Sequence, residues 1–241
     1  MIDGRTILAV VPARGGSKSI PRKNLKMVGG VSLVGRAAQV AAALPLIDAA
    51  VISTDDPEIA AEAKAHGLDA PFMRPPELSG DTATSVDMWR HAWLAAEAHY
   101  GKRFDLSVLL EPTSPLRLPA DVERTLRALI DAGAPAAATV SPTPAHYTPH
   151  KTLRINDKGE IVFYLESGAS HSLRQGIPAY YHRNGLCYAV TRDHLVSKGC
   201  IIDHGAVAVV VDRHVVNIDD MFELELAEWL LQQPPETLEK S

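Results

Sequence analysis

Residues 7–26 read ILAVVPARGGSKSIPRKNLK. An apolar run, Ile7 to Val11, stops at Pro12. A turn rich in glycine and cations follows: Arg14, Gly15, Gly16, Ser17, Lys18, Arg22 and Lys23. A short continuous apolar run bounded by turn residues predicts a strand buried on both faces. The loop after such a strand is where open α/β sheets place their ligands. Between Gly4 and Ile47 there is no Asp or Glu, although the chain carries formal net charge −5. Seven cations (Arg5, Arg14, Lys18, Arg22, Lys23, Lys26 and Arg36) therefore stand unopposed in sequence. A polyphosphate suits such a turn: glycine lets backbone N–H groups come close, and Lys or Arg neutralises the charge. The competing reading is a solvated basic loop, which is what most charge runs are. Arg22 and Lys26 are expected in solvent. The glycine spacing fits neither G-x-x-x-x-G-K-[ST] nor G-x-G-x-x-G, which excludes a P-loop and a dinucleotide fingerprint.

The 241 residues are 46% hydrophobic and 22% charged, an ordinary globular composition for one large domain or one domain with a small excursion. Mild acidity argues against nucleic acid as a partner. No apolar stretch approaches the roughly 18 residues of a membrane span, and no secretory h-region opens the chain. Cys187 and Cys200 do not make a disulfide framework, so a reduced, cytoplasmic protein is expected.

Strands are predicted near Thr6–Val11, Ala49–Ser53, Leu106–Leu110, Ala136–Val140, Leu186–Val190 and Val207–Val211. Helices are predicted over Leu33–Ala43, Pro57–His66, Ser85–Tyr100, Pro119–Ala132 and Asp220–Leu231. Asp56 before Pro57 suits N-cap followed by N1, and Gly67 suits the C′ position. The alternation predicts an α/β fold: a mainly parallel, Rossmann-like sheet with helices on both faces. Trp89, Trp93 and Trp229 are assigned to the core. Residues 142–181 break the pattern with prolines, then offer a hairpin within Thr152–Leu165 around Asn156-Asp157-Lys158-Gly159. They read as a lid or dimerisation excursion from a nucleotide-binding domain of residues 1–141 and 182–241.

Six segments in order then carry a family resemblance: PARGGSKSIPRKNL (12–25), VISTDDPEIA (51–60), RPPELSGDTATS (74–85), EPTSPLR (111–117), RNGLCY (183–188) and VNIDD (216–220). Together they resemble the CMP-acylneuraminate synthetases, or acylneuraminate cytidylyltransferases, including those that activate legionaminic or pseudaminic acid. The resemblance implies a Rossmann-like nucleotidyltransferase that joins CTP to a nonulosonic acid, releases pyrophosphate and uses Mg2+ or Mn2+. It implies a homodimer that completes the sugar site across its interface. Two readings stand beside it: a nucleotidyltransferase of the same fold using another base or sugar acid, such as GTP or ketodeoxyoctonate, and a non-catalytic sugar-nucleotide binding module.

Roles follow residue by residue. Arg14, Lys18 and Lys23 are expected to hold the triphosphate, with Gly15, Gly16 and Ser17 supplying backbone, and Asn24 to touch the nucleoside. The resemblance assigns Arg74 and Ser85 to cytosine, with Asp81 in the same segment. Arg and Ser can satisfy the polar edge of that base. The residues alone allow a plainer reading, a polar loop with Asp81 or Thr84 near the N-cap of the next helix. Asp219 is the expected metal ligand, at the end of a short strand VVNID, with Asn217 on the same strand face. Relatives usually carry Asp where Asn217 stands. Lys151 and Arg174 match family positions that meet the sugar acid, and Tyr181, Asn184 and Tyr188 lie in the segment that lines its pocket. Glu111, Thr113 and Ser114 complete the sugar set. Relatives commonly carry Gln at the position of Glu111, so this carboxylate marks either a different sugar or an internal ion pair.

Overall fold

The apolar run folds as β1 (Ile7–Pro12), buried from Ile7 through Val11. Alternation sends Ile7, Ala9 and Val11 to one face and Leu8 and Val10 to the other, and each set joins a different hydrophobic cluster. Burial on both faces is why the run is apolar without interruption. The structure, a computed structural model, describes residues 1–170 and 177–234.

A small ladder of β2 (Met27–Val28) and β3 (Val31–Ser32) leads into α1 (Leu33–Ala42), capped by the Ser32 hydroxyl. Next come β4 (Ala49–Ser53) and α2 (Pro57–Ala65), where the Asp56 carboxylate accepts from the N–H groups of Glu58 and Ile59. Then follow α3 (Ser85–Tyr100) with Thr84 as its cap, β5 (Leu106–Leu109), α4 (Pro119–Asp131) and β6 (Ala136–Pro142). A separate hairpin, β7 (Leu153–Ile155) and β8 (Ile161–Phe163), precedes β9 (Tyr181–Thr191), β10 (Val207–Val210) and α5 (Met221–Leu231). Among the described residues the main sheet runs β10-β6-β9-β5-β1-β4. Helices α1, α2 and α4 cover one face and α3 covers the other. A third cluster joins α5 to Ile20, Val28, Leu116, Val216 and Ile218, so it packs the carboxyl-terminal helix against the basic loop.

Four expectations need correction. The strand expected at Leu186–Val190 is an eleven-residue strand, β9, antiparallel to both β5 and β6. Its first half was hidden because Tyr181, His182 and Arg183 are exposed and break the apolar pattern. The segment VVNID is not a strand. It is a loop pinned by the Ile218 N–H, which donates to the Thr113 carbonyl at 2.7 Å. Trp89 and Trp93 are fully buried, but Trp229 is 51% exposed on α5. Arg22 is not simply solvated: it bridges Asp56 at 2.9 Å and Glu58 at 2.5 Å.

Inside β9 the pairing with β6 slips. Ala138 faces Tyr188, but Val140 faces Arg183, so β9 bulges between those positions. Gly185 at the bulge has φ +72°, a left-handed conformation that favours glycine. Asn184 stitches the bulge. Its carbonyl oxygen accepts from Thr139 Oγ1 at 2.6 Å and from the Leu186 N–H at 3.2 Å, and its amide donates to Ser141 Oγ at 3.1 Å. From beneath, the buried Arg117 guanidinium donates to the carbonyls of Leu186, Gly185 and Glu111.

Candidate functional site

The carboxyl ends of β1, β4 and β5 release three loops side by side. Strand β1 is parallel to both neighbours; the chain leaves it through α1 for β4 on one side and comes back to β5 on the other side through α3, which lies on the opposite face, so it reverses its winding here. Such a point opens a crevice for ligands. The crevice is a cleft of about 320 Å³ lined in part by Pro12, Arg14, Lys23, Asn24, Arg74, Asp81, Ser85, Glu111 and Thr113.

The basic turn owes its shape to the β4 loop. The Gly15 N–H donates to Asp55 Oδ1 at 2.9 Å. A Cβ on Gly15 would lie 2.8 Å from Asp56 Oδ2, so a side chain there is excluded, whereas Gly16 faces open space. Asn24, nearly buried, donates to the Arg14 carbonyl at 2.9 Å and fixes the far end of the turn. The cations that stand unopposed in sequence are opposed in space. Asp81 takes Lys18 Nζ at 2.6 Å and Arg14 Nη1 at 3.2 Å, and Asp219 takes Lys23 Nζ at 3.4 Å. The Lys18 hydrogen bond, then that of Arg14, holds the Asp81 carboxyl below its usual range. A triphosphate entering the cleft therefore has to exchange partners with Asp81.

Arg74 is 6% exposed and donates from Nε to Ser53 Oγ at 3.0 Å and from Nη2 to the Ser53 carbonyl. Burial lowers its pKa to about 10; Asp55 opposes the shift and Arg14 adds to it. It stays charged at neutral pH. Its mutual repulsion with Arg14 makes the cleft favourable for an anion. Ser85 opens α3 at the cleft wall, next to its cap Thr84.

Lys23 joins the two ends of the chain. Its side chain is only 14% exposed, and Nζ donates to the Ile218 carbonyl at 2.8 Å as well as meeting Asp219. Asp220 caps α5 and Glu223 returns the bond to the Asp220 N–H, which leaves the Asp219 carboxylate 80% exposed beside Lys23. Among the described residues, no group of three or more His, Cys, Asp or Glu could hold a metal. The donor set fits a magnesium-type ion, which takes few protein carboxylates and fills its shell with phosphate oxygens and water.

A second cleft continues from the first, sharing Ser85, Leu109 and Glu111 and adding Arg183, Tyr188 and Cys200–Ile202. The bulge at Gly185 brings Arg183 and Tyr188 to this one cleft. Without the slip they would point to opposite faces, five residues apart. Burial pushes the Tyr188 phenol up to about 12, so it stays a neutral hydrogen-bond donor. Burial also raises the Glu111 carboxyl; Arg117 and Arg183 oppose that shift, Asp219 adds to it and Lys23 again opposes it.

The expected sugar residues divide. Glu111, Thr113 and Tyr188 line the clefts. Ser114 is 1% exposed and Asn184 3% exposed, and their polar atoms serve the bulge. Lys151 and Tyr181 line neither cleft; Tyr181 borders a separate hollow with Pro142 and Tyr180. Arg174 lies outside the described residues. Sequence reasoning missed Asp55, Arg117 and Arg183, all of which stand inside the six segments quoted above. We expect Asn184→Ala to cost roughly 2 kcal/mol of stability, as three buried partners lose their bonds. Urea unfolding measures this, and an undiminished midpoint would free Asn184 for a role at the sugar.

The cytidylyltransferase family profile matches residues 8–145. The chain therefore belongs to the cytidylyltransferases, enzymes of nucleotidyl transfer. It is 26% identical over 228 residues to post-translational flagellin modification protein B of Campylobacter coli, covering 94% of this chain and 95% of that one. It is 27% identical over 244 residues to a CMP-N,N'-diacetyllegionaminic acid synthase of Legionella pneumophila, covering 96% and 99%. Among solved structures, a CMP-2-keto-3-deoxy-manno-octonic acid synthetase complexed with CTP superposes with TM-score 0.68 at 20% identity, over 94% of this chain and 98% of that one. That likeness supports the fold.

Proposed function

We propose that this protein transfers the cytidylyl group of CTP to the anomeric oxygen of a nonulosonic acid. The observation that carries the reading is the pair of joined clefts: one lined by Arg14, Lys23 and Arg74, the other partly apolar with Arg183 and Tyr188 on its wall, meeting at Glu111. The sugar oxygen bonds to the α-phosphorus and the bond to pyrophosphate breaks. Arg14, Lys18 and Lys23 face the triphosphate, and cations already fixed in place stabilise the charge that develops without reorganising. Arg74 and Ser85 face the base. Asp219 and Asn217 would hold Mg2+ or Mn2+, which when bound offsets charge on the departing pyrophosphate.

The sugar-acid class rests on the legionaminic acid relative and on the cationic side chain Arg183 in the second cleft. No described helix is long and apolar enough to cross a membrane. We place the protein in the cytoplasm, where CTP is made. Hairpin β7–β8 shows apolar side chains to solvent, with Ile155 75% and Ile161 69% exposed. Such a face asks for cover, and a second copy of the chain provides it in our reading. Light scattering should give a dimer mass.

The test of the function is pyrophosphate release with each NTP and a panel of N-acetylneuraminic, legionaminic, pseudaminic and ketodeoxyoctonic acids. CTP with one of the first three should turn over fastest. Turnover with GTP but not CTP would overturn the base assignment. Tight CTP binding with no pyrophosphate from any pair would favour a binding module.

A further inference from the structure

Arg183 and Glu111 face the same cleft with opposite charges and do not join. Among the described residues no hydrogen bond or ion pair ends on the Arg183 guanidinium or on the Glu111 carboxylate, although each feels the other's charge. The other cations of the two clefts are engaged: Arg14 with Asp81, Lys23 with Asp219 and the Ile218 carbonyl, Arg74 with Ser53. What remains is a gap with an unengaged cation on one side and an unengaged acceptor on the other. It is built on rigid parts. Arg183 precedes the bulge that Asn184 and Arg117 hold, and Arg117 also grips the Glu111 backbone carbonyl at 2.5 Å.

A gap of this kind fits a ligand that offers an anion and a hydrogen-bond donor close together. The ring form of a 2-keto sugar acid carries both on one carbon, the C1 carboxylate and the C2 hydroxyl. We propose that Arg183 anchors the carboxylate of the sugar acid while Glu111 accepts a hydrogen bond from its anomeric hydroxyl, the oxygen that attacks CTP. The reverse orientation would set carboxylate against carboxylate. Glu111 lines both clefts, so the hydroxyl it receives lies at their boundary, where the triphosphate begins. Positioning of this sort contributes to rate by removing the search for geometry. The inference rests on the sugar-acid reading above.

The test compares the panel acid turned over fastest with its methyl ester, which keeps the hydroxyl and loses the anion. Wild-type protein, Arg183→Met, Arg183→Lys and Glu111→Met are measured for KM of sugar, KM of CTP and kcat. Arg183→Met should raise the sugar KM by about tenfold or more, move the CTP KM by less than about twofold, and treat acid and ester alike. Arg183→Lys should recover part of the discrimination, since it restores charge without the planar fork. Glu111→Met, which removes the acceptor, should keep the preference for acid over ester and lose kcat. A merely structural role for Arg183 would lower stability without erasing the acid–ester difference, so undiminished discrimination in Arg183→Met overturns the proposal. Unchanged kinetics in Glu111→Met does the same for its half. Calorimetry of the same acid and ester separates the layers. Acid binding without pyrophosphate release would sink the transferase reading and leave this anchor to be judged by the Arg183→Met titration. No binding of any panel acid would sink both.

Discussion

Arg117→Met should lower the unfolding free energy by about 3–5 kcal/mol, among the largest effects of any single change away from the cleft surface. The guanidinium is 4% exposed and donates to three main-chain carbonyls: Leu186, Gly185 and Glu111. Burial lowers its pKa to about 10, so it is still charged at neutral pH; Cys187, Glu111 and Asp121 oppose the shift. Methionine fills much of the space but donates nothing, and each buried carbonyl left without a donor costs roughly 1–3 kcal/mol. The carbonyls belong to two separate stretches of chain, the β5 loop and the β9 bulge. Lysine has a single nitrogen and cannot hold both, so Arg117→Lys should recover only part of the loss. Urea unfolding reads the difference. A loss below about 1 kcal/mol in Arg117→Met would mean that water or another donor replaces the guanidinium.

This residue also shows where the sequence stops being legible. Periodicity marks the strands and helices that bury one stripe or two whole faces, and β4 and α3 fall at the residues expected, Ala49–Ser53 and Ser85–Tyr100. Caps are equally local: Asp56, Ser32 and Thr84 each hold the N–H groups a few residues ahead. The basic turn was readable because its chemistry is concentrated in one stretch. The half of β9 that carries Arg183 was not, because a bulge changes which face each residue meets and no local pattern announces the slip. Arg117 and Asp55 sit in segments that were noticed, yet their partners are 69 and 40 residues away. Pairings of that kind are set by tertiary packing. Asn184 is expected at the sugar from the segment it lies in, and only the tertiary fold shows its amide bonded to Thr139 and Ser141 within the bulge.

Asp219→Asn should keep the fold and lose turnover by roughly 10²–10³-fold, equivalent to about 3–4 kcal/mol of transition-state stabilisation. The fold survives because this side chain carries no structural duty. It is 80% exposed, its contact with Lys23 is long at 3.4 Å, and Asp220 rather than Asp219 caps α5. The backbone beneath is held at both ends, by Ile218 N–H on the Thr113 carbonyl and by Asp219 N–H on Glu223 Oε2. The backbone of residue 219 is therefore fixed beside a cleft lined by Arg14, Lys23 and Arg74 and by two other carboxylates, Asp81, which is paired with Lys18 and Arg14, and Glu111. A divalent ion has few anionic oxygens to choose from there. Asn217 offers only a neutral carbonyl, near the Glu111 carboxylate at Gly185. Removing the one charge at position 219 should weaken Mn2+ binding in the presence of CTP by about tenfold, read by electron paramagnetic resonance independently of turnover. Raising Mg2+ should restore part of the rate, since the phosphates still bind the ion. If the rate and the Mn2+ titration both match wild type, the ion is held by other residues. The exposed carboxylate beside Lys23 would then serve only to balance that lysine.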